Sequence, residues 1–158
     1  MFSKILVPID GSEMAWHALA HARTLGEKFG SEITLMHVVQ PYNTIPSIDG
    51  SPLFIPRDIE AIQETGRTLL KQAEDKLSGY PFAVETKIEF GYPAERILSV
   101  VDEGDYRMLV MGNRGLSGIA EFLMGGVVSR VRSSTWLAPV SLSSARSRVM
   151  VVMVSSRV

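Results

Sequence analysis

Short apolar runs alternate with amphipathic stretches over the first two thirds of the chain. The runs predicted to form strands are Lys4–Ile9, Glu32–Val39, 83–91 and 107–112. Continuously apolar runs are typical of parallel strands buried on both faces. The run at 83–91 instead alternates apolar and polar residues, which indicates a strand with one less buried face.

The amphipathic stretches between these runs are bounded by residues that favour helix ends. The predicted start and end residues, in chain order, are Ser12 and Gly30, Asp58 and Gly79, and Pro93 and Gly104. The first helix is expected over about residues 13–29. Residues 40–57 contain four prolines and predict a long loop, which in a compact domain is usually functional or mobile.

The alternation of strands and helices predicts one α/β domain over residues 1–158, with a parallel sheet covered by helices on both faces. A last helix is expected at about 126–134. The tail from about residue 132 is less regular. It holds two candidate strands, Ala138–Leu142 and Arg148–Val154.

Composition narrows the classes of function. Sixteen basic and seventeen acidic residues give a net charge of −1, which offers no electrostatic footprint for nucleic acid or an anionic membrane. The chain has no cysteine, which excludes disulfides and zinc held by sulfur. Pro8 and Asp10 come too early for the apolar region of a signal peptide, and no apolar run is long enough to span a membrane. A cytoplasmic location is expected.

The stretch "GNRGLSGIAEFLMGG" follows the fourth predicted strand and holds five glycines in fifteen residues. In open α/β sheets, ligands bind beyond the carboxyl ends of strands, and a helix N-terminus there suits phosphate. The glycines therefore predict either a nucleotide cradle or a glycine-rich surface turn. Residue chemistry alone leaves these two interpretations about equal.

Other motifs are weaker. His17 and His21 have the spacing of two metal ligands on a helix, but no further cluster of ligands accompanies them, so no metal site is predicted. "GLSG" lacks the spacing of a nucleophile elbow, and no P-loop lysine follows the glycines. Arg114 is the nearby cation, and a phosphate contact and a solvated loop position are about equally compatible with it.

Four segments together resemble the universal stress protein family over most of residues 1–131: "KILVPIDGSE", "GYPAERIL", "YRMLVMGNRGLSG" and "EFLMGGVVSRV". The nucleotide-binding branch of that family has a motif of Gly, two residues, Gly, nine residues, then Gly and a hydroxyl residue. Gly112, Gly115 and Gly125 match this spacing. Gly126 departs from the motif because it lacks the hydroxyl, which implies weaker binding of phosphate.

The resemblance implies a five-stranded sheet in the order 3-2-1-4-5, with ATP and Mg²⁺ bound between strands 1 and 4. It places Asp10 near the nucleoside, the Val38 backbone near adenine, and the glycines around the ribose and phosphates. The nucleotide-binding residues so implied are Pro8, Asp10, Val38, Met111, Gly112, Arg114, Gly115, Gly125, Gly126 and Val127. No catalytic residue is predicted.

The leading hypothesis is an ATP-binding stress-response protein that acts as a nucleotide-dependent regulator or interaction module. The first alternative is a nucleotide-free homodimeric interaction protein. The second is a slow ATP hydrolase, which is weakened because no clear general base or pair of metal-binding carboxylates is found. A homodimer through the last strand region is expected, because an apolar edge strand, "APVSL" or "RVMVVMV", would favour association if left free. Three interpretations of "RVMVVMV" stay open, namely an extra edge strand, an alternative fifth strand and a disordered end.

Overall fold

The computed structural model describes residues 2–112, 135–141 and 148–154 of the chain. Its elements follow the predicted alternation, with two additional strands after β2. They are β1 (Lys4–Pro8), α1 (Glu13–Phe29), β2 (Glu32–Val39), β3 (Tyr42–Pro46), β4 (Pro52–Pro56), α2 (Ile59–Lys76), β5 (Val84–Phe90), α3 (Pro93–Glu103), β6 (Met108–Gly112), β7 (Thr135–Ser141) and β8 (Arg148–Val154). The helix expected at 126–134 lies outside the described residues.

The main sheet of the described residues has six strands in the order β5-β2-β1-β6-β8-β7. The first five are parallel to one another, whereas β7 runs antiparallel to β8. The parallel part has the predicted order 3-2-1-4-5, with β5 and β8 as its outer members. The α/β fold inferred from the sequence is therefore confirmed.

The fifth parallel strand is "RVMVVMV" and not the segment around "APVSL". β8 pairs with β6 on one side and with β7 on the other. Of the three interpretations left open for this segment, the fifth parallel strand is the one observed, and both of its edges are hydrogen-bonded. β7 contains Pro139 and takes the outer position, which suits a strand with one residue that cannot donate a backbone hydrogen bond.

The sheet divides the buried apolar side chains into two clusters. Ile5, Val7 and Ile9 of the β1 end belong to the cluster that packs under α1 and α2. Leu6 points to the opposite face and packs with Ile97 of α3. The helices therefore cover both faces of the sheet, and β1 is buried from both sides, as its continuous apolar sequence predicts.

Two predicted helix ends are confirmed by their backbone geometry. Ser12 caps α1, and its side chain accepts a hydrogen bond from the Ala15 N–H at 3.2 Å. Gly30 ends α1 in the left-handed conformation with φ of 69°. This conformation favours glycine because a Cβ atom would be strained there.

The loop predicted at 40–57 is a β-hairpin, so that prediction is wrong. β3 and β4 pair only with each other, in an antiparallel register from Tyr42–Pro56 to Pro46–Pro52. All ten strand residues are exposed. At the tip, the Asp49 carboxylate accepts hydrogen bonds from Ser47 and Ser51, which lower its pKa to about 2. The prolines made this segment look like an irregular loop in the sequence. They lie at or next to the ends of two strands that pair with no third strand, where proline is tolerated.

Shortening a β8 side chain tests the position of this strand in the sheet. Val152 is 1% exposed and packs in the cluster under α1 and α2. Val152→Ala removes two buried methyl groups and should lower the free energy of unfolding by roughly 2 kcal/mol. Ile48→Ala is the matched control because Ile48 is fully exposed, and its effect should stay below about 0.5 kcal/mol. Urea unfolding measures both, and equal small effects would contradict a buried β8.

Candidate functional site

The carboxyl ends of β1 and β6 separate where the strand order of the sheet reverses. Their paired register consists of Ile5–Met108 and Leu6–Leu109. On its other side, β1 stays paired with β2 as far as Pro8–Met36. From β1 the chain continues outward to β2 and β5, and it then crosses back to β6 on the opposite side. This reversal creates the crevice in which ligands of open α/β sheets bind.

The turn from β1 into α1 fixes the Asp10 carboxylate at the mouth of this crevice. Asp10 is half-buried, and its Oδ1 accepts a hydrogen bond from the Ser12 N–H at 2.9 Å. Gly11 has φ of 83°, a conformation that side chains rarely adopt. The same Ser12 caps α1, so one short turn ends the strand, starts the helix and orients the carboxylate.

The backbone of Val38 is directed toward the space beyond the end of β1. The N–H of Ile9 donates to the carbonyl of Met36 at 2.7 Å, and the N–H of Glu32 donates to the carbonyl of Ser3 at 2.9 Å. Even-numbered residues of β2 therefore direct their backbone polar groups toward β1. Val38 is also even-numbered, so its backbone groups point in the same direction. It lies beyond Met36, the last residue of β2 whose backbone binds the β1 segment. Its peptide groups thus face the mouth of the crevice.

Pro8, Val38 and Met111 come together on the face of the sheet that α3 covers. Met111 is a buried member of the cluster on that face, and Val38 packs against it. Pro8 is buried and lies two residues after Leu6, which points to the same face. Apolar packing therefore supports the carboxyl edge on this face, with Pro8 and Met111 buried and Val38 half-buried.

Gly112 has a packing role that the sequence did not indicate. A Cβ atom on Gly112 would lie 2.6 Å from the Met14 Cβ and 2.9 and 3.0 Å from the Met14 backbone C and O. The end of β6 therefore contacts the first turn of α1 directly. This contact accounts for a glycine here without a ligand. Participation of Gly112 in a nucleotide site stays a prediction.

The remaining predicted nucleotide ligands lie outside the described residues. They are Arg114, Gly115, Gly125, Gly126 and Val127.

His17 and His21 are exposed on α1, and His21 Nδ1 lies 2.9 Å from the His17 carbonyl oxygen. Within the part of the chain that the structure describes, no three His, Asp or Glu side chains are placed to hold a metal ion. None of the described helices combines the length and apolarity needed to cross a membrane.

Two contacts at the end of β1 were not predicted from the sequence. Both lie on the face of the sheet that α2 covers. His37 Nδ1 lies 2.7 Å from the Ile9 carbonyl oxygen. The Leu69 side chain lies 3.0 Å from the position that a Cβ on Gly11 would take. A histidine inside the apolar run "LMHVV" was the available signal for the first contact. The second contact depends on tertiary packing and has no comparable local signal.

Comparison with known proteins agrees with this architecture. The sequence model of the Universal stress protein family matches residues 1–138. Universal stress protein YxiE of Bacillus subtilis is 30% identical over 136 residues, covering 83% of this chain and 92% of that protein. Universal stress protein MJ0531 of Methanocaldococcus jannaschii is 29% identical over 133 residues, covering 83% and 76%.

Solved structures of similar fold include a universal stress protein in complex with cAMP. It has a TM-score of 0.61 and 21% identity, and the match covers 98% of this chain and 97% of that one. A universal stress protein family protein from Arabidopsis thaliana with AMP bound has a TM-score of 0.58 and 18% identity, with 98% and 93% covered. At these identities the likeness establishes the fold.

Adding a methyl group at the end of β6 tests its contact with α1. Gly112→Ala should lower the free energy of unfolding by about 1–3 kcal/mol, because the new Cβ meets backbone atoms that cannot rotate away. Met14→Ala should not relieve this cost, since alanine keeps the Cβ and the backbone that are contacted. Denaturant unfolding of both single variants and the double variant measures the coupling. Rescue of Gly112→Ala by Met14→Ala would contradict a backbone contact.

Proposed function

Because the chain belongs to the universal stress protein family, we propose that it binds an adenine nucleotide in the crevice between β1 and β6. In this proposal the bound state makes the protein a nucleotide-dependent regulator or interaction module of a stress response. The observation that carries the proposal is the separation of β1 and β6 beyond the Leu6–Leu109 pair, with Asp10 at its mouth.

The described residues fit the nucleoside half of such a ligand. Adenine has a polar edge, which suits the backbone groups of Val38 that face the crevice. Pro8 and Met111 are buried and support this edge of the sheet through packing. The Asp10 Oδ1 is bonded to the Ser12 N–H, so a ligand hydroxyl would donate to Oδ2. A carboxylate is a strong acceptor for such a hydroxyl.

The phosphate half of the proposal depends on the sequence motif. Gly112, Gly115 and Gly125 have the spacing of the nucleotide-binding branch, and ATP with Mg²⁺ is the proposed ligand. The two neighbours described with cAMP and with AMP support an adenine nucleotide. The absence of a hydroxyl at Gly126 removes one potential hydrogen bond to phosphate and should weaken binding.

The proposed regulatory output involves the hairpin β3–β4. Two residues separate it from the end of β2, where Val38 faces the crevice. Its exposed apolar side chains, including Tyr42 and Phe54, offer a surface to a partner. If the nucleotide binds more tightly when the hairpin takes one orientation than when it takes another, binding shifts the population toward the first orientation. The proposed location of this activity is the cytoplasm.

Removing the Asp10 carboxylate tests the nucleotide proposal directly. Asp10→Ala should weaken ATP and AMP binding by roughly tenfold or more, because one hydrogen bond to a charged group is lost. Asp10→Asn keeps an oxygen for the Ser12 N–H while removing the charge, so it should lose less affinity. Isothermal titration calorimetry with Mg-ATP and with AMP measures these affinities.

Glu85→Ala is the control for a change of charge alone, since Glu85 is exposed on β5. It should leave both affinities unchanged. Failure of the wild-type protein to bind any adenine nucleotide would favour the nucleotide-free interaction protein. Equal affinities for wild type and Asp10→Ala would remove Asp10 from the site.

We further propose a homodimer through the outer edge of β7. In the described part of the sheet, β7 pairs with β8 and ends the strand order. An outer strand presents free backbone groups that favour pairing with another strand.

The dimer should appear by light scattering at micromolar concentration, and the amides of β7 should exchange more slowly as the protein concentration rises. The amides of β5, at the opposite edge, should not change. A monomer, or protection confined to β5, would contradict this interface.

A further inference from the structure

We propose that His37 is a positioning residue of this site, which holds the peptide bond before Asp10 and thereby sets the carboxylate at the crevice. Gly66 of α2 is its required counterpart, because only a glycine leaves room for the imidazole. The inference rests on the proposed nucleotide function. It gives a role in nucleotide affinity to two residues that are not proposed to touch the ligand.

The peptide group joining Ile9 to Asp10 is held by β2 through a side chain. The Ile9 N–H donates to the Met36 carbonyl, which is the last backbone bond between β1 and β2. The Ile9 carbonyl accepts from His37 Nδ1 at 2.7 Å. Ile9 is 2% exposed, so losing this bond leaves a buried carbonyl without its partner.

The carbonyl partner determines which nitrogen of the imidazole carries a proton. A carbonyl oxygen only accepts, so Nδ1 of His37 carries the proton. Both the neutral Nδ1–H tautomer and the imidazolium satisfy this requirement. His37 therefore holds the peptide group in either protonation state.

Gly66 allows α2 to lie against the imidazole. A Cβ on Gly66 would lie 2.6 Å from His37 Cδ2 and 3.3 Å from Nε2. Gly66 is buried in the interior of α2, where glycine costs about 1 kcal/mol relative to alanine. The close approach to His37 explains this otherwise unfavourable residue.

The same helix also contacts the residue that follows Asp10. Leu69, about one turn after Gly66, packs against Gly11. Asp10 thus lies between two residues that α2 restrains, Ile9 through His37 and Gly11 through Leu69. Displacing the imidazole should loosen the turn and misplace the carboxylate without removing any group proposed to touch the ligand.

A double-mutant cycle tests this mechanism. His37→Ala and Gly66→Ala should each weaken AMP binding about five- to tenfold, the effect of losing one buried hydrogen bond. In the His37→Ala background, Gly66→Ala should have no further effect, because the smaller side chain leaves room for the new methyl group. His37→Asn should recover part of the affinity, since its amide can donate to the Ile9 carbonyl.

Gly26→Ala is the matched control. Gly26 is also buried inside a helix, and a Cβ there would overlap the Tyr80 hydroxyl oxygen. Tyr80 donates to the Ser31 carbonyl, at the amino-terminal end of β2 and far from Asp10. This variant should lose stability and keep its affinity for AMP. Circular dichroism checks that every variant is folded.

The Ser12 amide gives a readout that needs no nucleotide. It donates to Asp10, so its NMR chemical shift and hydrogen exchange should change in His37→Ala and return toward wild type in His37→Asn. Wild-type affinity in both His37→Ala and Gly66→Ala would overturn the inference while leaving the proposed function intact. Additive losses in the double variant, or an unchanged Ser12 amide, would overturn it too. If the wild-type protein binds neither AMP nor Mg-ATP, the proposed function fails and the inference fails with it.

Discussion

The end of β1 is the constraint on which the rest of the site depends. β1 lies at the centre of the parallel sheet and is buried on both faces. It ends while the two neighbouring strands, β2 and β6, continue. This termination leaves backbone groups of Val38 without a strand partner on the β1 side. It also brings the first turn of α1, with its capping Ser12, to the same edge. A crevice with exposed peptide groups and a carboxylate is a direct consequence of stopping one central strand early.

Glycines around this edge meet different physical needs, although they look alike in the sequence. Gly11 supplies a positive φ for the turn, and Gly112 and Gly66 admit a close neighbour from α1 and from β2. Through these contacts, α1 and α2, which cover the same face of the sheet, hold the residues that border the crevice. The packing of α1 and α2 thereby sets the geometry of residues that a ligand would contact. Rigid support of this kind is what a binding site requires to hold its polar groups in place.

Four of the five parallel strands could be predicted because each carries its own pattern of apolar residues. The order of β5, β2, β1 and β6 and the caps at Ser12 and Gly30 followed from periodicity, turn chemistry and a family resemblance. The identity of the fifth strand was ambiguous, since both tail segments are apolar and strand pairing is decided by distant residues. The hairpin was missed because prolines at its strand ends resemble those of an irregular loop.

Prediction of the site was less complete, for a physical reason. The family resemblance implied Asp10 and Val38, whereas the contact between His37 and Ile9 depends on the approach of α2 to β2. The proposed function requires that a nucleoside occupy the space beyond β1. Backbone amide NMR of the wild-type protein during titration with AMP tests it most directly. We expect the largest shifts at Val38, Asp10 and Ser12, with no change at the amino ends of β1 and β2. Shifts confined to the amino ends, or none at saturating AMP, would contradict the account.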